Sequence, residues 1–419
     1  MASSHDPDGA RAGAVGAKPP DAAGLEARPQ GTRQQTRINR EPLRILHCLW
    51  SGETGGAERA VYLLVREQLR AGSVAPSVLF AKRGGPNWDR IIELGCPTVT
   101  LDLPHGRAIH RMGDIAKAMS PYDIVHFHSA EPMLMLASLR NPQLRRVYTH
   151  RGGLIDYPAR KRLQYAATGA LLKRRFHGLS GNTAHAARCA GELFGIDPSR
   201  FRVTYNGIDF GLLEPRRHAA DVRAELGLED ADFVLGTSAN LRPWKRIDRL
   251  LRISAALQRP QLRLLIVGDG IDRPRLEALA HSLGVASRTV FAGRQADVAD
   301  FLQVMDAFCL PSMEMESFGN AAVEAMGVGV PTIVFADGGG MIEHIDDGRT
   351  GFVVAHEQEL NALVTRLLDD REQLGRAVGE RGREAVRSKY APVDAERRYE
   401  QLYLSAAGRP SAVDRLAAA

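Results

Sequence analysis

Apolar positions along this chain gather into short runs, separated by Gly-bearing turns and by stretches of helical spacing. The runs at 43–50, 74–80, 98–101, 123–128 and 146–150 are short and rich in aliphatic and β-branched residues, so they predict strands. Between them Ala60, Leu63, Leu64 and Leu69 recur on one helical face, and 109–119 reads as a further helix. The pattern then restarts. Runs at 233–237, 262–267, 289–293, 307–310 and 330–336 predict strands, and Ile247, Leu250, Leu251 and Ile253 mark a helix. Strand, Gly-bearing turn and helix repeated in two series predict an α/β protein with two Rossmann-like domains facing across a cleft. A last helix over 393–404 carries Tyr399, Leu402 and Tyr403 at helical spacing.

Composition narrows the class. A chain of 419 residues favours two domains over one core. The first 41 residues are rich in Ala, Gly, Pro, Arg and Asp, which predicts a disordered tail. No run approaches the roughly 18 apolar residues of a membrane span, and the N-terminus has no apolar core of a secretory signal, so a cytoplasmic location is expected. Cys48, Cys96, Cys189 and Cys309 lie in or near apolar segments without metal spacing, as expected of buried thiols in a reducing compartment. The formal charge of +6 suits an anionic substrate or surface without proving either.

Chemistry concentrates at 311–354. Glu316-Ser317-Phe318-Gly319-Asn320 lies between a strand and an apolar helix that carries Glu324. A helix starting at the carboxyl end of a parallel sheet offers free N–H groups to an anion. Carboxylates beside it would repel a phosphate but accept hydrogen bonds from hydroxyls. The implied ligand carries both. At about 1.5 Å rise per residue, Glu324 would lie about 12 Å from Glu316 along a continuous helix, too far for a shared-proton dyad. The loop with Gly55 and Gly56 after the first strand is a second candidate cradle, and Arg242 and Lys245 could grip a diphosphate. His126 and His128 alternate at one strand tip facing a cleft, with no third ligand spaced nearby for a metal. His150 is a polar cleft residue or a satisfied structural histidine. The Asp230-Ala231-Asp232 stretch sits in an acidic loop and is discounted as a metal site. The basic 158–175 region could rest on an anionic membrane, bind an anionic acceptor, or simply be solvated. Nucleic acid is disfavoured, because interleaved aromatics and a binding motif are missing. A dinucleotide oxidoreductase is disfavoured because GxGxxG is absent.

In sequence order, Gly55-Gly56-Ala57-Glu58, Asp123-Ile124-Val125-His126, Thr149-His150, Asn206-Gly207-Ile208-Asp209, Lys245, Gly268-Asp269-Gly270, Pro311-Ser312, Glu316 to Glu324 and Gly348-Arg349-Thr350-Gly351-Phe352 form an ordered set. With it the chain resembles the family 4 retaining glycosyltransferases of the GT-B fold over about 43–404. The resemblance implies a nucleotide diphosphate sugar donor, a hydroxyl acceptor, no cofactor and no metal. It implies an acceptor domain at 42–212, a donor domain at 213–390 and a helix returning to the first domain within 391–419. It makes His150, Lys245 and Glu316 the catalytic residues. Gly55, Gly56, Arg242, Lys245, Gly268, Phe318, Gly319, Asn320 and Glu324 would bind the donor, with Glu324 on the ribose and Glu316 on the sugar. The family usually has Arg where this chain has Asn240, so Arg242 is the expected substitute. A nucleotide-sugar epimerase and a non-catalytic sugar-nucleotide binder of the same fold stand as alternatives.

Overall fold

The computed structural model describes residues 41–53, 55–103, 109–128, 131–153 and 159–410. The expected disordered tail therefore lies outside the described residues, Glu41 apart. Seven parallel strands form the first sheet: β1 (Leu43–Leu49), β2 (Val74–Phe80), β3 (Thr98–Thr100), β4 (Ile124–Phe127), β5 (Arg145–His150), β6 (Gly178–Gly181) and β7 (Phe201–Val203). Six form the second: β8 (Phe233–Ser238), β9 (Leu262–Val267), β10 (Thr289–Gly293), β11 (Ala307–Leu310), β12 (Thr332–Phe335) and β13 (Phe352–Val354). The spatial orders are β3-β2-β1-β4-β5-β6-β7 and β10-β9-β8-β11-β12-β13. Each order reverses direction once, between β1 and β4 and between β8 and β11. At such a switch point the connections leave to opposite sides and open a crevice at the carboxyl ends of the strands.

The winding explains why the strands were legible. Helices cover both faces of a parallel sheet, so its strands read as continuous apolar runs. Ile45, Leu46, Ile124, Val125, Leu264, Leu265, Phe308 and Cys309 are fully buried. The four cysteines are free and buried, as expected. The 109–119 helix opens with a tighter turn, Ile109–Arg111, before the regular helix Met112–Met119.

The final helix, Pro392–Ala406, starts on a proline, which tolerates the first helical position because its missing N–H would be unpaired there. Its apolar side, Tyr399, Leu402, Tyr403 and Ala406, packs with Leu43, Ile45, Leu64, Val74, Ile124 and Val147 of the first sheet layer. The chain therefore leaves the second sheet and closes over the first. A Cβ at Gly207 would lie 2.7 Å from the Pro392 Cα, so the crossing needs a glycine there.

Candidate functional site

The loop after β11 ends in a helix start whose first amides have no protein acceptor among the described residues. The Met313 amide donates to the Trp244 carbonyl (3.2 Å), and the Glu316 amide to the Met313 carbonyl (3.0 Å). Gly319 then takes the left-handed conformation (φ 74°), and a Cβ there would strike the Met341 side chain at 2.5 Å. The helix Asn320–Val328 begins at once. Among the described residues the amides of Phe318, Gly319 and Asn320 donate to no protein acceptor, which leaves them for an anion. Glu316 pairs with Lys245, whose ammonium also lies 4.4 Å from the Trp244 ring centre. Glu324 is buried and accepts from Arg59 at 2.6 Å. Burial pushes its carboxyl up, and Arg59 opposes that rise. The two carboxylates thus have separate cations and do not act as a dyad.

The first half meets this loop from the opposite side. The helix Gly56–Ala71 starts at the Gly loop, and a Cβ on Gly56 would lie 3.4 Å from the side-chain Nδ2 of Asn320. Two helix starts therefore face each other. Asn206 donates to the Asn320 side chain (3.0 Å), Thr183 to the Ser317 carbonyl (2.7 Å) and Asn182 to the Ser317 hydroxyl (3.2 Å). Glu343 accepts from the amides of Ala184 (2.9 Å) and His185 (2.6 Å), so a carboxylate of one half caps a helix of the other. A Cβ at Gly153 would overlap the Glu314 carbonyl, which brings the segment after β5 against the Glu316 loop.

His150 ends β5 and is nearly buried. Its Nδ1 lies 3.0 Å from the Tyr148 hydroxyl, while its Nε2 has no partner. Burial lowers its pKa to about 4, aided by His185. With Tyr148 donating to Nδ1, the neutral ring keeps an Nε2–H for a ligand hydroxyl.

Two expectations need correction. His126 and His128 are buried, not cleft-facing, and they do have a third imidazole beside them. The parallel register places His47 of β1 directly beside His126. Their ligand nitrogens lie within 4.8 Å of one another. The contacts favour a hydrogen-bonded chain. Arg151 donates to His128 Nδ1 (3.4 Å), His128 Nε2 to His47 Nδ1 (2.9 Å) and His47 Nε2 to Gln68 (2.9 Å). His126 spans Tyr403 (2.8 Å) and Thr149 (2.7 Å). Every ring nitrogen is thus engaged, and the Arg151 guanidinium would repel a cation. Asp232 of the discounted acidic stretch holds Arg263 (3.0 Å) and the Glu229 amide (2.8 Å).

The structure brings Lys245 to Glu316 and Gly56 to Asn320, with Gly55, Gly319 and Glu324 close to them in the chain, whereas the Phe318 ring packs on His344 and Tyr390 and leaves only its amide to the loop; His150 ends β5. Arg242 stands at the head of the Pro243–Lys245 turn with an exposed side chain that pairs with no acid among the described residues. Gly268 (φ 123°) has a packing reason: a Cβ there would overlap the Ala239 carbonyl. Arg59, Arg151 and Glu343 were missed, because nothing marks them in sequence beyond the Gly-Gly and Thr-His motifs beside the first two.

Two switch-point parallel sheets of Rossmann-like winding match the GT-B architecture. Solved structures agree on the fold. Anabaena HepE in complex with UDP is 20% identical with a TM-score of 0.77, over 87% of this chain and 100% of that chain. WaaG, a glycosyltransferase involved in lipopolysaccharide biosynthesis, is 21% identical with a TM-score of 0.65, over 85% and 99%. Residues 54–211 match the model of Glycosyltransferase Family 4, and 219–385 that of Glycosyl transferases group 1. The chain belongs to this glycosyltransferase family. It is 36% identical over 208 residues to D-inositol 3-phosphate glycosyltransferase of Nocardia farcinica, covering 46% of each. It is 32% identical over 212 residues to N-acetyl-alpha-D-glucosaminyl L-malate synthase of Bacillus anthracis, covering 50% of this chain and 55% of that one. The chain spans about half the length of the curated relatives it matches.

Proposed function

We propose that the chain is a retaining glycosyltransferase that moves a hexose-type sugar from a nucleotide diphosphate sugar to a hydroxyl acceptor without a metal. The observation that carries this is the pair of opposed helix starts, at Gly56 and Asn320, lying between Lys245–Glu316 on one flank and Arg59–Glu324 on the other. A diphosphate fits the amides, a sugar the Glu316 side and a ribose the Glu324 side. The HepE structure is a complex with UDP, which supports a nucleotide as the kind of ligand a chain of this fold takes.

In this reading Lys245 and the free amides stabilise charge that develops on the departing phosphate. His150 donates Nε2–H to a sugar hydroxyl. The acceptor oxygen attacks the anomeric carbon from the side the phosphate leaves. The carbon–phosphate-oxygen bond breaks, and the acceptor's proton passes to the departing phosphate oxygen. Arg242 lies exposed at the same loop and is free to reach the diphosphate. The exposed Arg162, Leu163, Lys173, Arg174 and Arg175 of the helix Ala159–Arg175 support peripheral contact with an anionic membrane. No helix among the described residues is long and apolar enough to cross one.

The test is a donor screen. Slow hydrolysis of UDP-, GDP-, ADP- and dTDP-sugars is measured by nucleotide release, and the product anomer by NMR. Release from at least one donor with a retained anomer is expected. No binding or release from any donor, or an inverted anomer, would refute the corresponding part.

A further inference from the structure

Arg59 was not marked by any motif, yet it makes a buried contact across the cleft. Its Nη1 donates to Glu324 Oε1 at 2.6 Å, from the first turn of the helix Gly56–Ala71. The guanidinium is about a third exposed, whereas the Glu324 side chain is 7% exposed. The Arg59 amide donates to the Gly55 carbonyl (3.0 Å), so this cation is anchored to the Gly loop itself. That loop faces the Asn320 side chain, one helical turn from Glu324.

The geometry points to Arg59 as a positioning residue for ribose recognition: carried by the first half, it fixes the Glu324 carboxylate of the second for a vicinal diol. This rests on the reading of Glu324 as the ribose acceptor. Arg59 uses one carboxylate oxygen and leaves the other, with its two lone pairs, toward the ligand. A carboxylate accepts from both hydroxyls of a diol most strongly while ionised. Burial works against the ionised form, and Arg59 is the charged side chain that holds it. Neighbouring charges are committed elsewhere. Asp209 pairs with Arg66, Asp300 accepts from the Arg216 amide (2.6 Å), and Arg387 donates to the Gly327 carbonyl (3.0 Å). Ribose recognition would then need both halves in place, so donor binding and cleft closure become one event.

The test uses the full chain and calorimetry with UDP, GDP and ADP, then the 2′-deoxy analogue of whichever binds best. Wild type is expected to prefer the ribonucleotide by about tenfold or more. Arg59→Gln should weaken the ribonucleotide by about 10- to 100-fold and the deoxy analogue by less than about threefold, so the preference collapses. Arg59→Lys should restore part of it. A preference kept in Arg59→Gln overturns the inference. So does an equal loss on both nucleotides that disappears for the free nucleoside, which would make Arg59 a phosphate ligand. Melting curves establish folding, and Arg59→Lys carries the comparison if the Gln variant does not fold. Wild type binding none of the three nucleotides would overturn the functional reading beneath the inference instead.

Discussion

Acidification tests the buried histidines as a set. Burial holds His47 and His150 at about 4 and His344 at about 3, and it holds His126 and His128 well below 6.5. Arg151 adds to the lowering at His47, His126 and His128. Once unfolded, each ring titrates near 6.5, so below that value the unfolded chain binds protons the folded chain refuses. Stability from these groups is complete above pH 6.5 and drains as pH falls toward 4. At pH 4.5 His47, His150 and His344 each oppose folding by about 2.5 kcal/mol, about 7 to 8 kcal/mol together, a large part of a domain's stability, and His126 and His128 act in the same direction. Glu58, Glu131, Asp306, Glu324 and Glu396 are pushed up by burial and act with the opposite sign. They reduce the slope of that fall. Asp123, held below its usual value chiefly by Arg44 against burial, adds its loss only at still lower pH. Urea unfolding followed by tryptophan fluorescence from pH 8 to 4.5 should give a flat midpoint above pH 7 and a steep fall below 6.5. Equal stability at pH 7.5 and pH 5 would refute the neutral, desolvated state assigned to these rings.

Three further outcomes follow from the site. Lys245→Ala should lower kcat for donor cleavage about 100-fold, a loss of about 3 kcal/mol of leaving-group stabilisation, while Lys245→Arg keeps part of the rate. Turnover within threefold of wild type would remove Lys245 from the chemistry. Glu316→Gln should slow transfer yet tighten binding of the nucleoside diphosphate product by several-fold, because it frees Lys245 for phosphate. Calorimetry showing weaker product binding would contradict that charge balance. Glu343→Ala removes the acceptor of the Ala184 and His185 amides and should cost about 1–2 kcal/mol in urea denaturation. An unchanged midpoint would show that the cap contributes nothing to holding the halves together.

The parts legible in sequence are those whose physics is local. Strands buried on both faces write themselves as apolar runs, which is why 74–80 was read to the residue. Glu316 and Glu324 stood out because acids beside a helix start need a reason. What was not legible depends on which strands become neighbours. His47 looked like a core residue of β1 until parallel register set it beside His126. Arg59 is one of several cations on an amphipathic helix, and only the approach of the second half gives it Glu324. Glu343 and the helix it caps are separated by more than 150 positions in sequence. Gly268 and Gly319 show a third kind of outcome. Both were read as donor-binding glycines, and both have steric reasons that sequence could not supply, against Ala239 and Met341.

On the proposed reading, the charge arrangement also accounts for an anion-binding cleft that carries two carboxylates. Unpaired, Glu316 and Glu324 would repel a diphosphate lying between them. Each instead holds a cation of its own, so the flanks are neutral and the positive ends of two helices set the sign at the centre. The cations come from different places. Lys245 belongs to the same half as Glu316, whereas Arg59 must cross from the other. On that reading the sugar flank is complete within one half, and the ribose flank only when the halves meet. Carboxylates neutralised in this way retain lone pairs for hydroxyls without spoiling the field at the phosphate. Hydroxyl recognition at both ends and anion recognition in the middle can then coexist within one narrow cleft.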